Sequence, residues 1–234
     1  MQLLRRLDTA ITKRRLSATA RAVQQERLTY LAPAKLLRLE QVLDRTKNVP
    51  GDFLEFGVAL GGGSIVIAKA AKATGHAFAG FDVFATIPPP TSDKDDAESK
   101  RRYEVIAAGK SKGIGGDEYY GYRSDLYGDV IRAFERHGLA VDGTSIRLVK
   151  GLFEDTWPGN APQQIAFAHL DCDWYDPVKY CLDVVAERLS PGGVIVLDDY
   201  NAWGGCRTAT DEFKAARSDF VFESGPNPLL IKKA

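Results

Sequence analysis

The acids that stand where two apolar runs stop are the residues of this chain best placed to do chemistry. Phe167-Ala168-His169-Leu170 runs into Asp171-Cys172-Asp173, and Val194-Ile195-Val196-Leu197 runs into Asp198-Asp199, with a helical stretch between them. Strand, helix, strand in succession makes the two strands parallel, so both groups of acids meet at the carboxyl edge of a sheet, where open α/β sheets take their ligands. Asp171, Asp198 and Asp199 then converge on one point. Like charges that close require a cation, a proton or a positively charged substrate between them. His169 lies on the alternating pattern of its strand, which suits a core histidine as well as a catalytic one.

A second group lies earlier. Asp52-Phe53-Leu54-Glu55-Phe56 leads into Gly57-Val58-Ala59-Leu60-Gly61-Gly62-Gly63, and Ser64 to Ala71 continues as a helix. Glycines at such a turn let backbone approach a ligand closely, and a helix N-terminus favours anionic or polar groups. A tight strand-to-helix turn with nothing bound is the alternative. The run is not the dinucleotide fingerprint G-x-G-x-x-G, because Ala59 stands at the second glycine position. His76 to Asp82 reads as a second strand ending in an acid, 25 residues after Gly57. An acid there can take both hydroxyls of a ribose, or merely cap a turn. Ser145 to Val149 reads as a third strand, and the turn Lys150 to Asp155 after it borders the adenine half of such a pocket.

These groups need a scaffold. Strands alternating with helical segments specify a doubly wound α/β sheet. The strands at Phe220-Val221-Phe222 and Leu229-Leu230-Ile231, joined by Gly225-Pro226-Asn227-Pro228, read as a hairpin and so as an antiparallel addition at the edge. Pro33 to Thr46 forms a helix with an apolar stripe of Leu36, Leu37, Leu39, Val42 and Leu43, its proline suited to the first turn. Residues 1–30 form a basic N-terminal arm in which Leu3, Leu4, Leu7 and Ile11 recur at helical spacing. It packs on the domain or on a dimer partner, or else touches a membrane surface or polyanion. Residues 31–234 form the main domain. An irregular insertion, about 83–128, contains Ile87-Pro88-Pro89-Pro90, which cannot be helix, and the tyrosine-rich stretch before Tyr122. At the carboxyl edge of a sheet it is a lid whose tyrosines and Phe84 stack on an acceptor, or a surface excursion.

Composition narrows the class. The 234 residues carry 31 basic and 31 acidic side chains, so no global field argues for nucleic acid. The three cysteines, Cys172, Cys181 and Cys206, show no C-x-x-C spacing, against a disulfide framework or zinc knuckle and in favour of a reducing compartment. No apolar run approaches the roughly 20 residues that span a bilayer. A cytoplasmic protein is expected.

The ordered set of motifs resembles a known family. It comprises Gly51-Asp52-Phe53-Leu54-Glu55-Phe56-Gly57-Val58, Gly61-Gly62-Gly63-Ser64, Phe81-Asp82-Val83-Phe84, Gly151-Leu152-Phe153-Glu154-Asp155-Thr156-Trp157-Pro158, His169-Leu170-Asp171-Cys172-Asp173-Trp174-Tyr175, and Asp198-Asp199-Tyr200 followed by Trp203-Gly204-Gly205. Over about residues 28–234 the chain is similar to the macrocin O-methyltransferases among class I S-adenosylmethionine-dependent enzymes. The resemblance implies a Rossmann-like, mostly parallel seven-stranded sheet with an antiparallel last strand and helices on both faces. It implies S-adenosylmethionine on Glu55, Gly57, Gly61 and Ser64, with Asp82 on the ribose hydroxyls and Leu152, Phe153 and Glu154 near the adenine. It also implies a divalent ion, usually Mg2+, on Asp171, Asp198 and Asp199. Oxygen donors alone suit a hard cation.

The implied reaction is methyl transfer to a hydroxyl of a sugar or glycosylated small molecule, with Asp171 or Asp173 as base and His169 as the second choice. Catechol O-methyltransferases, which share the metal layout, carry a lysine three residues after the metal aspartate. Trp174 stands there, which favours the sugar-modifying branch. A nucleotide-binding oxidoreductase and a non-catalytic scaffold on the same fold are the competing readings. The N-terminal helices are natural elements for a homo-oligomer.

Overall fold

A strand crossed over by a helix to its neighbour must lie parallel to it, whereas two strands joined by a short turn must be antiparallel. The computed structural model, which describes residues 11–234, follows this rule throughout. The strands β1 (Asp52–Phe56), β2 (Phe78–Asp82), β3 (Ile146–Lys150), β4 (Ile165–Leu170), β5 (Leu189–Leu197), β6 (Phe220–Glu223) and β7 (Leu229–Lys232) form one sheet in the order β3-β2-β1-β4-β5-β7-β6. β1 to β5 pair in parallel, and β7 runs antiparallel to both β5 and β6. The hairpin at the C-terminal end therefore supplies the antiparallel edge that the sequence implies.

The strand order reverses at β1 and β4. The chain moves outward from β1 to β2 and β3, then returns to lay β4 on the other side of β1. Loops leaving such a switch point diverge and open a crevice at the carboxyl edge. Hydrogen bonds hold the strand ends level there: Asp171 N donates to Phe56 O at 2.8 Å, and Gly57 N to Phe81 O at 2.9 Å.

The helices α1 (Ala18–Gln25), α2 (Pro33–Thr46), α3 (Gly62–Thr74), α4 (Ala97–Ala107), α5 (Leu126–Arg136), α6 (Phe153–Asn160), α7 (Tyr175–Arg188) and α8 (Gly204–Ala216) surround the sheet. Strand side chains alternate between faces. Phe53, Phe167 and Val196 point into one core with Leu36, Leu39, Ile65 and Phe134. Phe56, Phe81 and Leu170 point into the other with Trp157, Leu182 and Phe213.

Local rules set two boundaries. α4 starts at Ala97 because the Asp96 carboxylate accepts Ser99 N at 2.7 Å and fixes the N-cap. β5 runs straight through Pro191-Gly192-Gly193, and the extra residues are absorbed by a slip against β4, where Ile165 pairs with Leu189 but Phe167 with Val194.

The described part of the N-terminal arm packs on the domain. Leu16, Ala20, Val23 and Leu31 are buried in the first core, and Gly62 N donates to Leu28 O at 2.9 Å. Ile11 is exposed. The apolar positions Leu3, Leu4 and Leu7 lie outside the described residues. The three cysteines are free and buried. No helix among the described residues is long and apolar enough to cross a membrane.

Candidate active site

A cavity of about 650 Å³ opens at the carboxyl edge over the switch point. Gly57, Ala59, Asp82, Leu152, Phe153 and Glu154 border one half, and Asp171, Asp173, Asp198 and Asp199 border the other. The two groups singled out from the sequence thus share one cavity.

In the first half, the carboxylate of Asp82 is held by backbone. Its Oδ2 accepts Val58 N at 2.7 Å and Ala59 N at 2.9 Å, and its Oδ1 accepts Phe84 N at 2.6 Å. Burial raises its pKa against the lowering effect of those donors. Asp82 therefore acts both as a turn anchor and as a cavity wall, which unites its two sequence readings. Ala59 and Phe84, which donate to it, both have φ in the left-handed region, 46° and 48°, as does Asp173 at 58°. Non-glycine residues there carry strain, and two of the three, Ala59 and Asp173, border this one cavity.

Gly57 is required by packing. Its φ is +96°, and a Cβ built on it would sit 1.8 Å from the Asp171 carbonyl oxygen. This glycine lets β1 and β4 close up and brings Asp171 beside the Asp82 half of the cavity. Gly62 answers to the arm instead: a Cβ there would lie 2.4 Å from Leu28 O. The start of α3 is thus covered by chain from the arm.

In the second half, one oxygen from each of Asp171, Asp198 and Asp199 lies within 4.8 Å of the others. Burial first, then the charge of Asp198, raises the pKa of Asp171 well above its ordinary value. Burial and the charges of Asp173, Asp171 and Asp198 do the same to Asp199. Asp198 goes the other way: burial is outweighed by His169 and Lys35, and its pKa is lowered. Asp198 Oδ1 is buried without a hydrogen-bond partner. Crowded oxygen donors, one of them orphaned, fit a hard divalent cation. Asp173 stands beside the cluster, its N–H on Asp199 Oδ2 at 3.1 Å. Enclosure pushes its carboxyl up to about 6, partly opposed by Trp203.

His169, Glu55 and Ser64 do not reach the cavity. Glu55 pairs laterally with His169 in the β1–β4 register, and on one face of the sheet the two become neighbours beneath α3. His169 Nδ1 lies 2.8 Å from Glu55 Oε1, and Nε2 faces Asp198 Oδ1 at 3.7 Å. The Ser64 hydroxyl donates to Glu55 Oε2. Burial would lower the imidazole pKa, but Asp198 and Glu55 outweigh it and hold it at about 10. His169 is a buried imidazolium strut between the two halves, closed off from the cavity where a base would act. Gly61, at the N-cap of α3, is also absent from the cavity wall.

Three further groups line the wall, and none of them was given a role from the sequence. Lys35 on α2 donates to Asp198 Oδ2 at 2.6 Å and to Asp198 O at 2.9 Å. It falls in line with the buried Leu39, Val42 and Thr46 of its helix, and a cation on an apolar stripe is the pattern that could have revealed it. Trp203 packs edge-on against Trp174 at 5.6 Å. Arg102 stands over the Tyr119 ring at 5.7 Å.

The insertion does roof the cavity, through Ile87, Pro88, Pro89, Thr91, Ile106 and Tyr120 among others. It is fastened by caps: Asp95 Oδ1 accepts Tyr175 N at 2.8 Å at the start of α7, and Asp96 Oδ2 accepts Gly204 N at 2.8 Å at the start of α8. Trp174 Nε1 donates to Pro88 O at 3.0 Å. Phe84, expected to stack on an acceptor, is buried against Tyr127 instead.

The sequence model of the macrocin-O-methyltransferase (TylF) family matches residues 5–219. The chain belongs to that family. The match reaches further into the arm than the motifs alone and stops before the terminal hairpin. Within the family's reach, a tetracenomycin-C rhamnosyl 4'-O-methyltransferase from Streptomyces olivaceus is 31% identical over 170 residues, 71% of this chain and 59% of that protein. The mycinamicin III 3''-O-methyltransferase of Micromonospora griseorubida is 31% identical over 173 residues, 71% of this chain and 61% of that protein. The chain thus spans about 60% of the length of these relatives. The solved O-methyltransferase NovP superposes with a TM-score of 0.66 at 23% identity, covering 84% of this chain and 78% of that one, a likeness of fold.

Proposed function

We propose that this protein transfers the methyl group of S-adenosylmethionine to a hydroxyl of a sugar or glycosylated small molecule, aided by a divalent cation on Asp171, Asp198 and Asp199. The observation that carries the reading is that Gly57 and Asp82 share one cavity with three oxygen donors within 4.8 Å of one another. Both relatives are named as O-methyltransferases, and the first is named for a rhamnosylated acceptor, which supports the acceptor class.

The chain's own residues have distinct tasks. Gly57, Ala59 and Asp82 take the ribose side of the cofactor, and Leu152, Phe153 and Glu154 border its base. When bound, the cofactor supplies an electrophilic sulfonium methyl, and the cation polarises the acceptor hydroxyl as a Lewis acid. Asp173, the cavity carboxylate beside the metal set, takes the hydroxyl proton. Ile87, Pro88, Pro89 and the Trp174–Trp203 pair form an apolar wall that excludes water and offers a sugar an aromatic face. The imidazolium of His169 braces Glu55 against Asp198 behind this surface.

Calorimetry with S-adenosylhomocysteine and with NADH tests the cofactor, and methyl transfer from labelled S-adenosylmethionine to a panel of glycosides tests the acceptor. Asp199→Asn keeps the side-chain shape and is expected to lower transfer at least about 100-fold, the upper end of what outer-shell partners alone cost. NADH binding without S-adenosylhomocysteine binding refutes the reading. Full activity of Asp199→Asn in the presence of EDTA removes the metal from it.

A further inference from the structure

We infer that the ammonium of Lys35 is a resident counter-ion of the acidic cluster, and that a divalent cation binds there by displacing it. The inference rests on the metal reading above and goes beyond it, because it makes a side chain from outside the βαβ units set the affinity of the site.

Four observations carry it. First, Lys35 Nζ takes both the Oδ2 and the main-chain oxygen of Asp198, at 2.6 and 2.9 Å. Asp198 belongs to the three-carboxylate set, so the lysine already occupies one of the two carboxylate oxygens of a residue in that set.

Second, the other oxygen of Asp198 is turned away from Lys35. Oδ1 faces His169 Nε2 at 3.7 Å and has no hydrogen-bond partner. Asp198 therefore keeps the His169 ring beside its far oxygen when Lys35 leaves.

Third, Lys35 can leave while its helix stays. Its side chain keeps 24% exposure against 8% for Asp198, and it lines the cavity. The backbone is anchored one turn on, where Arg38 donates to Asn227 O at 3.1 Å, to Ser224 O at 3.0 Å and to Glu223 Oε1 at 2.9 Å. Swinging a four-carbon stem from Asp198 toward the cavity needs no movement of α2.

Fourth, the carboxylates are crowded. Oxygens of Asp171, Asp198 and Asp199 lie within 4.8 Å of one another, and Asp173 adjoins them through its N–H on Asp199 Oδ2 at 3.1 Å. A single ammonium on Asp198 offsets part of this repulsion in the metal-free protein. A divalent ion offsets more, and a like-charged ammonium held on the same carboxylate opposes its entry.

The test compares wild type with Lys35→Met, which keeps the stem and removes the charge, and with Lys35→Arg, whose guanidinium can grip a carboxylate in two places. Mn2+ affinity is measured by calorimetry, and melting temperature in EDTA and in saturating Mn2+. Removing a unit charge within a few ångströms of a divalent ion is expected to tighten Mn2+ binding by about tenfold or more. Lys35→Met should also melt lower in EDTA and gain more on adding Mn2+. Lys35→Arg should bind Mn2+ more weakly than wild type. Binding by Lys35→Met that is unchanged or weaker than wild type overturns the inference, as does an equal loss of melting temperature with and without metal. If Lys35→Met does not fold, a Lys35→Arg protein that binds Mn2+ as tightly as wild type overturns it equally. If wild type itself binds no Mn2+, the metal reading fails, an outcome distinct from a bound ion indifferent to Lys35.

Discussion

Replacing His169 with leucine removes the one cation between two buried acids. The imidazole is fully buried, Glu55 is 2% exposed, and they meet at 2.8 Å. After His169→Leu, Glu55 retains only the Ser64 hydroxyl, and Asp198 retains Lys35. Breaking a buried pair by deleting one partner costs about 3–5 kcal/mol, because an uncompensated charge stays behind. Native proteins have only about 5–15 kcal/mol in hand, so the loss is a large fraction of the whole. The double variant Glu55→Leu/His169→Leu replaces the pair with apolar side chains and should recover at least about 2 kcal/mol relative to the single change. Urea unfolding followed by tryptophan fluorescence and by circular dichroism gives each value by linear extrapolation. A cost below about 1 kcal/mol for His169→Leu, or a double variant no more stable than the single, refutes the strut.

Gly57→Ala is expected to destabilise by about 2–4 kcal/mol, combining a left-handed φ with a Cβ pressed on the Asp171 carbonyl. It should weaken Mn2+ and S-adenosylhomocysteine binding together, since one close approach joins the two halves; an effect on neither ligand by calorimetry contradicts that coupling. Asp142 lies far from the site and accepts Thr144 N at 2.8 Å and Ile146 N at 3.0 Å, which lowers its pKa to about 2. Its contribution is full above the unfolded carboxyl pKa of about 4 and fades as pH falls toward 2. Asp142→Asn should therefore narrow its stability gap to wild type on acidification over that window, and a constant gap in urea titrations speaks against it.

Much of the site was readable from the chain because it depends on strand ends. Period-two alternation and the rule that ligands gather at the carboxyl edge place Gly57, Asp82, Asp171, Asp198 and Asp199 together without coordinates. Pro33 fixes the start of α2, and the Gly225–Pro228 turn fixes the hairpin, because their constraints act within a few residues. Glu55 and Ser64 lie behind the cavity wall rather than on it for the opposite reason, and of the two readings of His169 the structure shows the buried one. A glycine-rich turn before a helix signals backbone close to something, and sequence does not say whether that partner is a ligand or a carboxylate of the same chain.

What tertiary structure decided was lateral. The register of β1 against β4 joins Glu55 to His169 across 114 residues, and the packing of α2 on the sheet brings Lys35 to Asp198 across 163. The roof is fastened by Asp95 to the start of α7 across 80 residues. Each contact satisfies a buried charge or an orphan N–H whose partner local chemistry does not specify. The sequence by itself determined which residues reach the edge of the sheet. Only the fold decided which of them face the cavity and which brace it from behind, because that depends on how strands and helices register against each other.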